Sequence, residues 1–319
     1  MMPRDPIEEY RRTITATIPP FLLARRFTAA ESWSKATTQE GTRYLGLFRE
    51  QEPGLATILT HPKLLILGEP GAGKSTTGRA VVQHLHENGQ PTDIAVVASL
   101  KSYTGNLPNL LLQNAPAIVL KTPELRRSYV LDGADEVPAP HRRTLRTDIQ
   151  TLLTTDITAR IICTARQAFY AQHPEAFPDG LAVFHLLDFD NNDIRACTIQ
   201  RNVDAEAFLA AAREADCTEE LRNPFVLDAM LTQYHNRGSF SPLRSENVRY
   251  VVDQLIQSRP TFGTIIQRRA LRMLAVAVHV VSAAVGAEKV QQSDDGCSVR
   301  PQRGRPVRGA AVSCKSARR

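Results

Sequence analysis

Short apolar runs alternate with longer amphipathic stretches through the middle of the chain. The runs are rich in Leu, Ile and Val and are flanked by turn residues, which is typical of strands covered on both faces of a parallel sheet. The stretches between them have the length and periodicity of crossover helices. The pattern therefore predicts an α/β fold with a parallel five-stranded sheet and flanking helices. The predicted strands are residues 63–67, 94–98, 128–131, 160–163 and 182–186.

The patterning differs on either side of this region. Residues 1–54 are predicted to form a helical N-terminal segment, 55–190 the sheet domain, and 191–285 a small helical domain without strands. From residue 286 onward there is no Leu, Ile, Phe, Met or aromatic residue, while Arg, Gly, Ser, Pro and Gln dominate. Such a segment buries too little apolar surface to offset its ordering entropy. Residues 286–319 are therefore predicted to be a disordered tail. The tail is either an arm for nucleic acid or an acidic partner, or a truncated or frame-shifted end without a role, and the abrupt change in composition favours the second.

Charge and cysteine content narrow the function classes. The net charge is +6, but residues 286–319 contain eight Lys or Arg and three Asp or Glu, so the other 285 residues carry only about +1. Nucleic acid is therefore not a predicted partner of the core. Five widely spaced cysteines without a C-x-x-C pair argue against disulfides and zinc, and favour a reducing cytoplasmic location. The longest apolar stretch, residues 273–287, is shorter than the roughly twenty residues that span a bilayer, so no membrane contact is predicted.

A phosphate-binding motif follows the first predicted strand of the sheet. The sequence G-E-P-G-A-G-K-S at residues 68–75 fits G-x-x-x-x-G-K-[ST], in which glycines let backbone N–H groups face a phosphate. The following helix adds its positive N-terminal dipole to the same anion. Lys74 should reach the β- and γ-phosphates, and the Ser75 hydroxyl should bind Mg²⁺. The residues predicted to contact the nucleotide here are Gly68, Glu69, Pro70, Gly71, Ala72, Gly73, Lys74, Ser75 and Thr76.

Acidic residues follow the third predicted strand. Asp132 lies at its carboxyl end, where nucleotide sites of open α/β sheets are found, and is predicted to hold Mg²⁺ directly or through water. Asp135 and Glu136 come next in sequence. Either carboxylate could orient an attacking water and accept its proton, so both are predicted as catalytic residues.

A basic residue ends the fourth predicted strand. Residues 160–163 lead into Thr164, Ala165 and Arg166. An arginine at this position would face the γ-phosphate from the neighbouring strand, because its planar fork can bind two phosphate oxygens. Arg166 is therefore a predicted nucleotide ligand; the other interpretation is an arginine exposed to solvent at a strand end.

Together these motifs resemble the NACHT family of the STAND class of P-loop ATPases. The sequence L-D-G-A-D-E at 131–136 is similar to the family's second motif, with Ala134 a weak form of its hydrophobic position, and residues 160–166 are similar to the next motif. The segment R-N-P-F-V-L at 222–227 looks like the family's proline-containing segment, which implies that Pro224 lies near the adenine. The resemblance covers about residues 55–280. Family members usually carry further domains on both sides of the ATPase, and sensing and effector functions belong to those domains. The resemblance covers only the ATPase, so these functions are not predicted for this chain.

This resemblance implies a nucleotide-dependent switch that binds ATP or ADP with Mg²⁺, hydrolyses ATP slowly, self-associates in the ATP state and serves signalling or defence through unidentified protein triggers or effectors. Two alternatives stay open: an AAA+-like remodelling ATPase, and a fragment that only binds nucleotide. In AAA+ proteins the acidic pair directly follows the strand, whereas Gly133 and Ala134 intervene here. A GTPase is disfavoured because D-x-x-G and [NT]-K-x-D are both absent from the sequence.

Overall fold

The structure, a computed structural model, describes residues 5–19, 23–29 and 52–258. The chain divides into two compact units, Met1–Val251 and Val252–Arg319. Of the second unit only residues 252–258 are described, so the fold below is that of the first.

Six strands form one sheet in the order β1-β6-β2-β5-β4-β3. Strands β2 to β6 run parallel to their neighbours, and β1 pairs with β6 in the antiparallel direction. The central strand β2 is almost completely buried, as its uninterrupted run of Leu and Ile requires. The strands are β1 Phe27–Ala29, β2 Lys63–Leu67, β3 Asp93–Ser99, β4 Arg126–Asp132, β5 Arg160–Ala165 and β6 Ala182–Leu186.

All five predicted strands are confirmed, and two of them have the predicted bounds. The prediction of five strands missed the sixth, β1, which lies within the segment 1–54 that was expected to be helical. Three residues are too few to show an alternating pattern, and β1 forms because β6 offers an unpaired edge. The sheet is therefore mixed at one edge.

Helices cover the sheet, and the described residues after β6 form helices without further strands. The first helix begins after the N-cap Asp5, whose carboxylate accepts from the N–H of Ile7, and it buries Tyr10 and Ile14 on one face. No strand occurs in the described stretch 187–258, in agreement with the helical pattern there. The helices are α1 Pro6–Ala16, α2 Leu55–Ile58, α3 Lys74–Asn88, α4 Leu107–Asn114, α5 Ala117–Lys121, α6 Arg142–Thr155, α7 Gln167–Gln172, α8 Asn191–Gln200, α9 Ala205–Glu214, α10 Pro224–Arg237 and α11 Arg244–Ser258.

Two apolar clusters stabilise the first unit. One surrounds the sheet, and the other is formed by helices α8 to α10 around Phe208 and Met230. Carboxylate and amide caps begin these later helices: Asp190 with Asp193 forms a capping box for α8, and Asn223 caps α10. The predicted boundaries at 54, 190 and 285 stay predictions.

None of the helices within 5–19 and 52–258 is long and apolar enough to cross a membrane. The predicted helix at 273–287 and the predicted tail at 286–319 lie outside the described residues.

Candidate nucleotide-binding site

The three predicted motifs meet at one edge of the sheet. Strands β2, β5 and β4 are consecutive neighbours, and their parallel register places Leu67 beside Ala165 and Leu131 beside Cys163. The segments that follow these strands therefore lie next to one another. This is the carboxyl edge of the parallel strands, where open α/β sheets bind ligands.

The loop between β2 and α3 has the backbone conformation that its glycines permit. Gly71 and Gly73 have φ of +80° and +89°, in the left-handed region that side chains disfavour. Gly73 is the N-cap residue of α3, so the N–H groups of the first turn have no partner within the helix. Ser75 and Thr76 are exposed in this first turn. The arrangement suits an anion, since it combines free N–H groups with the positive end of a helix dipole.

Lys74 folds back over this loop. Its Nζ donates to the carbonyl oxygens of Gly68 at 2.8 Å and Glu69 at 3.1 Å. Burial lowers the pKa of the Lys74 ammonium, and the attraction of Asp135 partly offsets this effect. Asp132 and Arg166 also interact electrostatically with Lys74. Lys74, the predicted phosphate ligand, is thus close to Asp132, Asp135 and Arg166.

Asp132 is held by a residue of the neighbouring strand. The Thr164 hydroxyl donates to Asp132 Oδ1 at 2.6 Å and accepts from the Gly133 N–H at 2.9 Å. Thr164 is fully buried, and the Asp132 carboxylate is half-buried with Oδ2 unbonded among the described residues. The hydroxyl therefore fixes the orientation of the carboxylate that is predicted to hold metal.

Mg²⁺ fits the donors present. It binds hard oxygen ligands and commonly takes only one or two protein groups, with water and phosphate completing its shell. The Ser75 hydroxyl and the free oxygen of Asp132 are such donors. Over the described ranges no cluster of three or more His, Cys, Asp or Glu could hold a metal on its own. A metal at this edge would need the oxygens of a bound phosphate.

Thr164→Val should lower the free energy of unfolding by about 1–3 kcal/mol, because the Gly133 N–H and Asp132 each lose a hydrogen-bond partner inside the fold. Urea denaturation measures this change. Thr144→Val, at an exposed position of α6, is the control and should change stability by less than about 0.5 kcal/mol. Equal stabilities for the two variants would contradict the positioning role of Thr164.

The two carboxylates predicted as catalytic have different surroundings. Asp135 is paired with Arg166: Oδ2 lies 2.8 Å from the guanidinium Nε, and Oδ1 accepts from the Arg166 backbone N–H at 3.1 Å. The Asp135 side chain is 8% exposed, whereas Glu136 is exposed. The Glu136 side chain lies over Gly133, and its carboxylate makes no hydrogen bond or ion pair within the part of the chain that the structure describes. Of the two, only Glu136 has its oxygens available to a water.

The proline-containing segment packs directly on the glycine-rich loop. The Asn223 Nδ2 donates to the Pro70 carbonyl oxygen at 2.9 Å, and the Phe225 N–H donates to the Gly71 carbonyl oxygen at 3.3 Å. The other end of the Asn223 amide caps α10 by accepting from the Phe225 N–H at 3.0 Å. Pro224 is therefore held beside the loop, although 150 residues separate it from Lys74 in sequence.

A cavity of about 300 Å³ adjoins the loop on this side. Gly73 and Thr76 line it from the loop and α3, and apolar side chains line most of the rest. It is large enough for a purine base, and apolar walls with a few polar groups are usual for such ligands. The apolar lining includes Leu23, Phe189, Pro224 and Leu227.

Sequence patterning missed part of this site. Leu23 and Arg25 line the cavity from the segment before β1, and Phe189 lines it from the segment after β6. Sequence patterning gives no signal for Leu23 and Arg25, because only the pairing of β1 with β6 brings residues 23–29 to the site. The role of Thr164 was also missed. Its position at the end of a predicted strand, two residues before Arg166, could have indicated it.

Comparisons with known proteins give only distant similarities. No family model and no curated protein matches the chain. Similar solved structures include the Aeropyrum pernix Orc1 protein in complex with DNA, at 14% identity over 74% of this chain and 73% of that one, with a TM-score of 0.39. AMPPCP-bound DnaA from Aquifex aeolicus is 11% identical over 81% and 96% of the two chains, with a TM-score of 0.35. Cdc6p from Pyrobaculum aerophilum is 13% identical over 76% and 70%, with a TM-score of 0.38. At these values the similarities assign neither a family nor a function.

Proposed function

We propose that this chain binds ATP with Mg²⁺ at residues 68–76 and hydrolyses it slowly. The observation that carries the proposal is the meeting of the glycine-rich loop, Asp132 and Arg166 at adjacent strand ends. Each has the chemistry of a different part of one ligand: N–H groups and an ammonium for phosphate, a carboxylate for metal, and a guanidinium for the terminal phosphate.

Lys74 would bind the β- and γ-phosphates after leaving the carbonyl oxygens of Gly68 and Glu69. Ser75 and Asp132 would hold the magnesium, which would neutralise charge on the phosphate oxygens. Arg166 would contact the γ-phosphate, in exchange for part of its pairing with Asp135. In the absence of nucleotide, Lys74 and Arg166 are thus bound to groups of the protein itself, and phosphate would replace these groups.

Glu136 is the better candidate for the general base. Its carboxylate is exposed and free of partners among the described residues, so it can orient a water and accept its proton. Asp135 is better suited to positioning, because both of its oxygens contact Arg166. A single exposed carboxylate that no other described side chain holds in place supports slow hydrolysis.

Adenine is the proposed base. The cavity beside Gly73 has apolar walls, with Pro224 at the position that the NACHT-like segment implies. The sequence has no guanine-recognition motif of the [NT]-K-x-D form. ATP and ADP are therefore proposed as the ligands.

A switch function of the NACHT type is supported by the contact between α10 and the loop. Asn223 and Phe225 join the start of this helix to the carbonyl oxygens of Pro70 and Gly71. A change in loop conformation on nucleotide exchange would therefore move the helix and expose or cover its surface. Self-association in the ATP state, and signalling to a protein partner, are the outputs we propose for this coupling. Remodelling of the AAA+ kind would instead show rapid turnover that a macromolecular substrate stimulates.

Lys74→Ala tests the proposal most directly. The substitution removes charge-assisted hydrogen bonds worth roughly 1.5–3 kcal/mol each, so ATP affinity should fall about tenfold or more. Calorimetric titration with Mg-ATP measures the change. Lys63→Ala is the matched control, because Lys63 lies at the opposite end of β2, away from the site. The ATP affinity of this variant should equal that of the unaltered protein. Equal affinity in Lys74→Ala would reject the phosphate site.

A further inference from the structure

Arg25 is a buried cation in the wall of the nucleotide cavity. The residue is only 8% exposed. Its Nη2 donates to the Leu187 carbonyl oxygen at 2.8 Å, and its guanidinium lies 4.5 Å from the centre of the Phe189 ring. No carboxylate forms an ion pair with Arg25 in the described ranges. Its charge is therefore only partly compensated by the protein.

The nearest carboxylates do not supply the missing partner. Asp193 attracts Arg25 electrostatically, but its Oδ2 lies 2.7 Å from the neighbouring Arg26. Asp188 also attracts Arg25 without forming an ion pair. Burial lowers the pKa of Arg25 to about 10, so the guanidinium still carries its charge at neutral pH. A buried charge without a full partner is costly for the folded state.

The free side of this guanidinium faces the start of α3. A β-carbon built on Gly73 would lie 3.5 Å from Arg25 Nη1. Gly73 is the N-cap of α3, so the guanidinium lies beside the positive end of the helix dipole. Two positive groups side by side, both bordering a cavity, would be stabilised by an anion bound between them.

The position along the ligand identifies which anion this is. Lys74 Nζ lies against Gly68 and Glu69 at the start of the loop, where the proposed function puts the β- and γ-phosphates, whereas Gly73 and Thr76 border the cavity. The group that joins a base in this cavity to phosphates on the loop is the α-phosphate with its ribose. We propose, on the basis of the nucleotide site argued above, that Arg25 binds the α-phosphate and thereby makes the segment before β1 part of the nucleotide site.

The test compares adenosine, AMP and ADP as competitors of a fluorescent ADP analogue. In Arg25→Gln, affinities for AMP and ADP should both fall about tenfold or more, the loss expected for a charge-assisted bond, while adenosine affinity stays unchanged. In Lys74→Ala the ADP affinity should fall and the AMP affinity should not. Arg79→Gln, which changes an exposed arginine of α3, is the charge control and should leave all three unchanged.

Other outcomes overturn the inference. Equal losses for adenosine and AMP would mean that Arg25 shapes the base cavity and does not bind phosphate. Unchanged AMP and ADP affinities would remove Arg25 from the site altogether while leaving the Lys74 result, and hence the proposed function, intact.

Melting temperature without nucleotide separates binding from structure. Arg25→Gln should melt no lower than the unaltered protein, because it removes a poorly compensated buried charge. A lower melting temperature with unchanged ADP affinity would assign Arg25 a structural role only. Arg25→Lys keeps the charge, so its AMP affinity should lie between those of the unaltered protein and Arg25→Gln. If Arg25→Lys loses all the affinity that Arg25→Gln loses, the charge is not what binds AMP.

Discussion

Replacing Glu136 with Gln should lower the rate of ATP hydrolysis by about 100-fold or more, the usual contribution of a general base, while ATP still binds. The amide keeps the shape of the side chain but cannot accept a proton from water. Because Glu136 is exposed and has no partner among the described residues, the substitution should not change stability. Phosphate release under single-turnover conditions measures the rate, and nucleotide titration measures binding.

Asp135→Asn is the comparison that separates the two neighbouring carboxylates. It weakens the contact with Arg166 while leaving Glu136 in place. We expect hydrolysis to persist in this variant and ATP affinity to change, since Arg166 is released from its partner. Normal hydrolysis in Glu136→Gln together with none in Asp135→Asn would transfer the base role to Asp135.

Gly71→Ala should destabilise the protein more than any other single methyl addition to the loop. Two costs combine: about 1–2 kcal/mol for a side chain at a left-handed backbone position, and about 1–3 kcal/mol for overpacking. The added β-carbon would lie 2.6 Å from Asn223 Oδ1, and three hydrogen bonds hold that amide in place. Because the loop or α10 must shift, ATP affinity should fall too. Urea denaturation and nucleotide titration measure the two effects.

Gly180→Ala is the matched control for backbone conformation. Gly180 has a φ of +78°, similar to that of Gly71, but nothing lies within 4 Å of a β-carbon built there. It should show the backbone cost alone and bind ATP normally. In the double variant Gly71→Ala with Asn223→Ala, part of the overpacking should be relieved, so the two effects should not add. Equal destabilisation by Gly71→Ala and Gly180→Ala would show that α10 does not press on the loop.

The parts of the fold that a strong local sequence pattern encodes could be predicted from sequence. Strand β2 has a continuous apolar run with a glycine-rich turn directly after it, and both its bounds and its place beside the site follow from that pattern. Asp132 and Arg166 could be placed together because carboxyl ends of parallel strands share an edge. The pairing of Arg166 with Asp135 could not be predicted, because it depends on the conformation of the turn after Gly133.

The rest of the site depends on contacts between distant segments. Arg25 follows no motif, and its side chain reaches the loop only because β1 pairs with β6. Asn223 was seen as part of a family-like segment, but its bond to Pro70 needs the packing of α10 on the loop. Such contacts are decided by tertiary packing, which local periodicity does not encode.

The pairing of β1 with β6 also sets an order in which the molecule can be completed. Phe27 meets Leu186 only after the whole sheet between them has been synthesised, and closing so long a loop slows folding. The glycine-rich loop also precedes Phe189 and Pro224 by more than a hundred residues in sequence, so it is synthesised well before them. The loop follows β2, whose neighbours in the sheet are β5 and β6, so the phosphate-binding loop and the walls around the nucleoside are both completed only after these later segments have been synthesised.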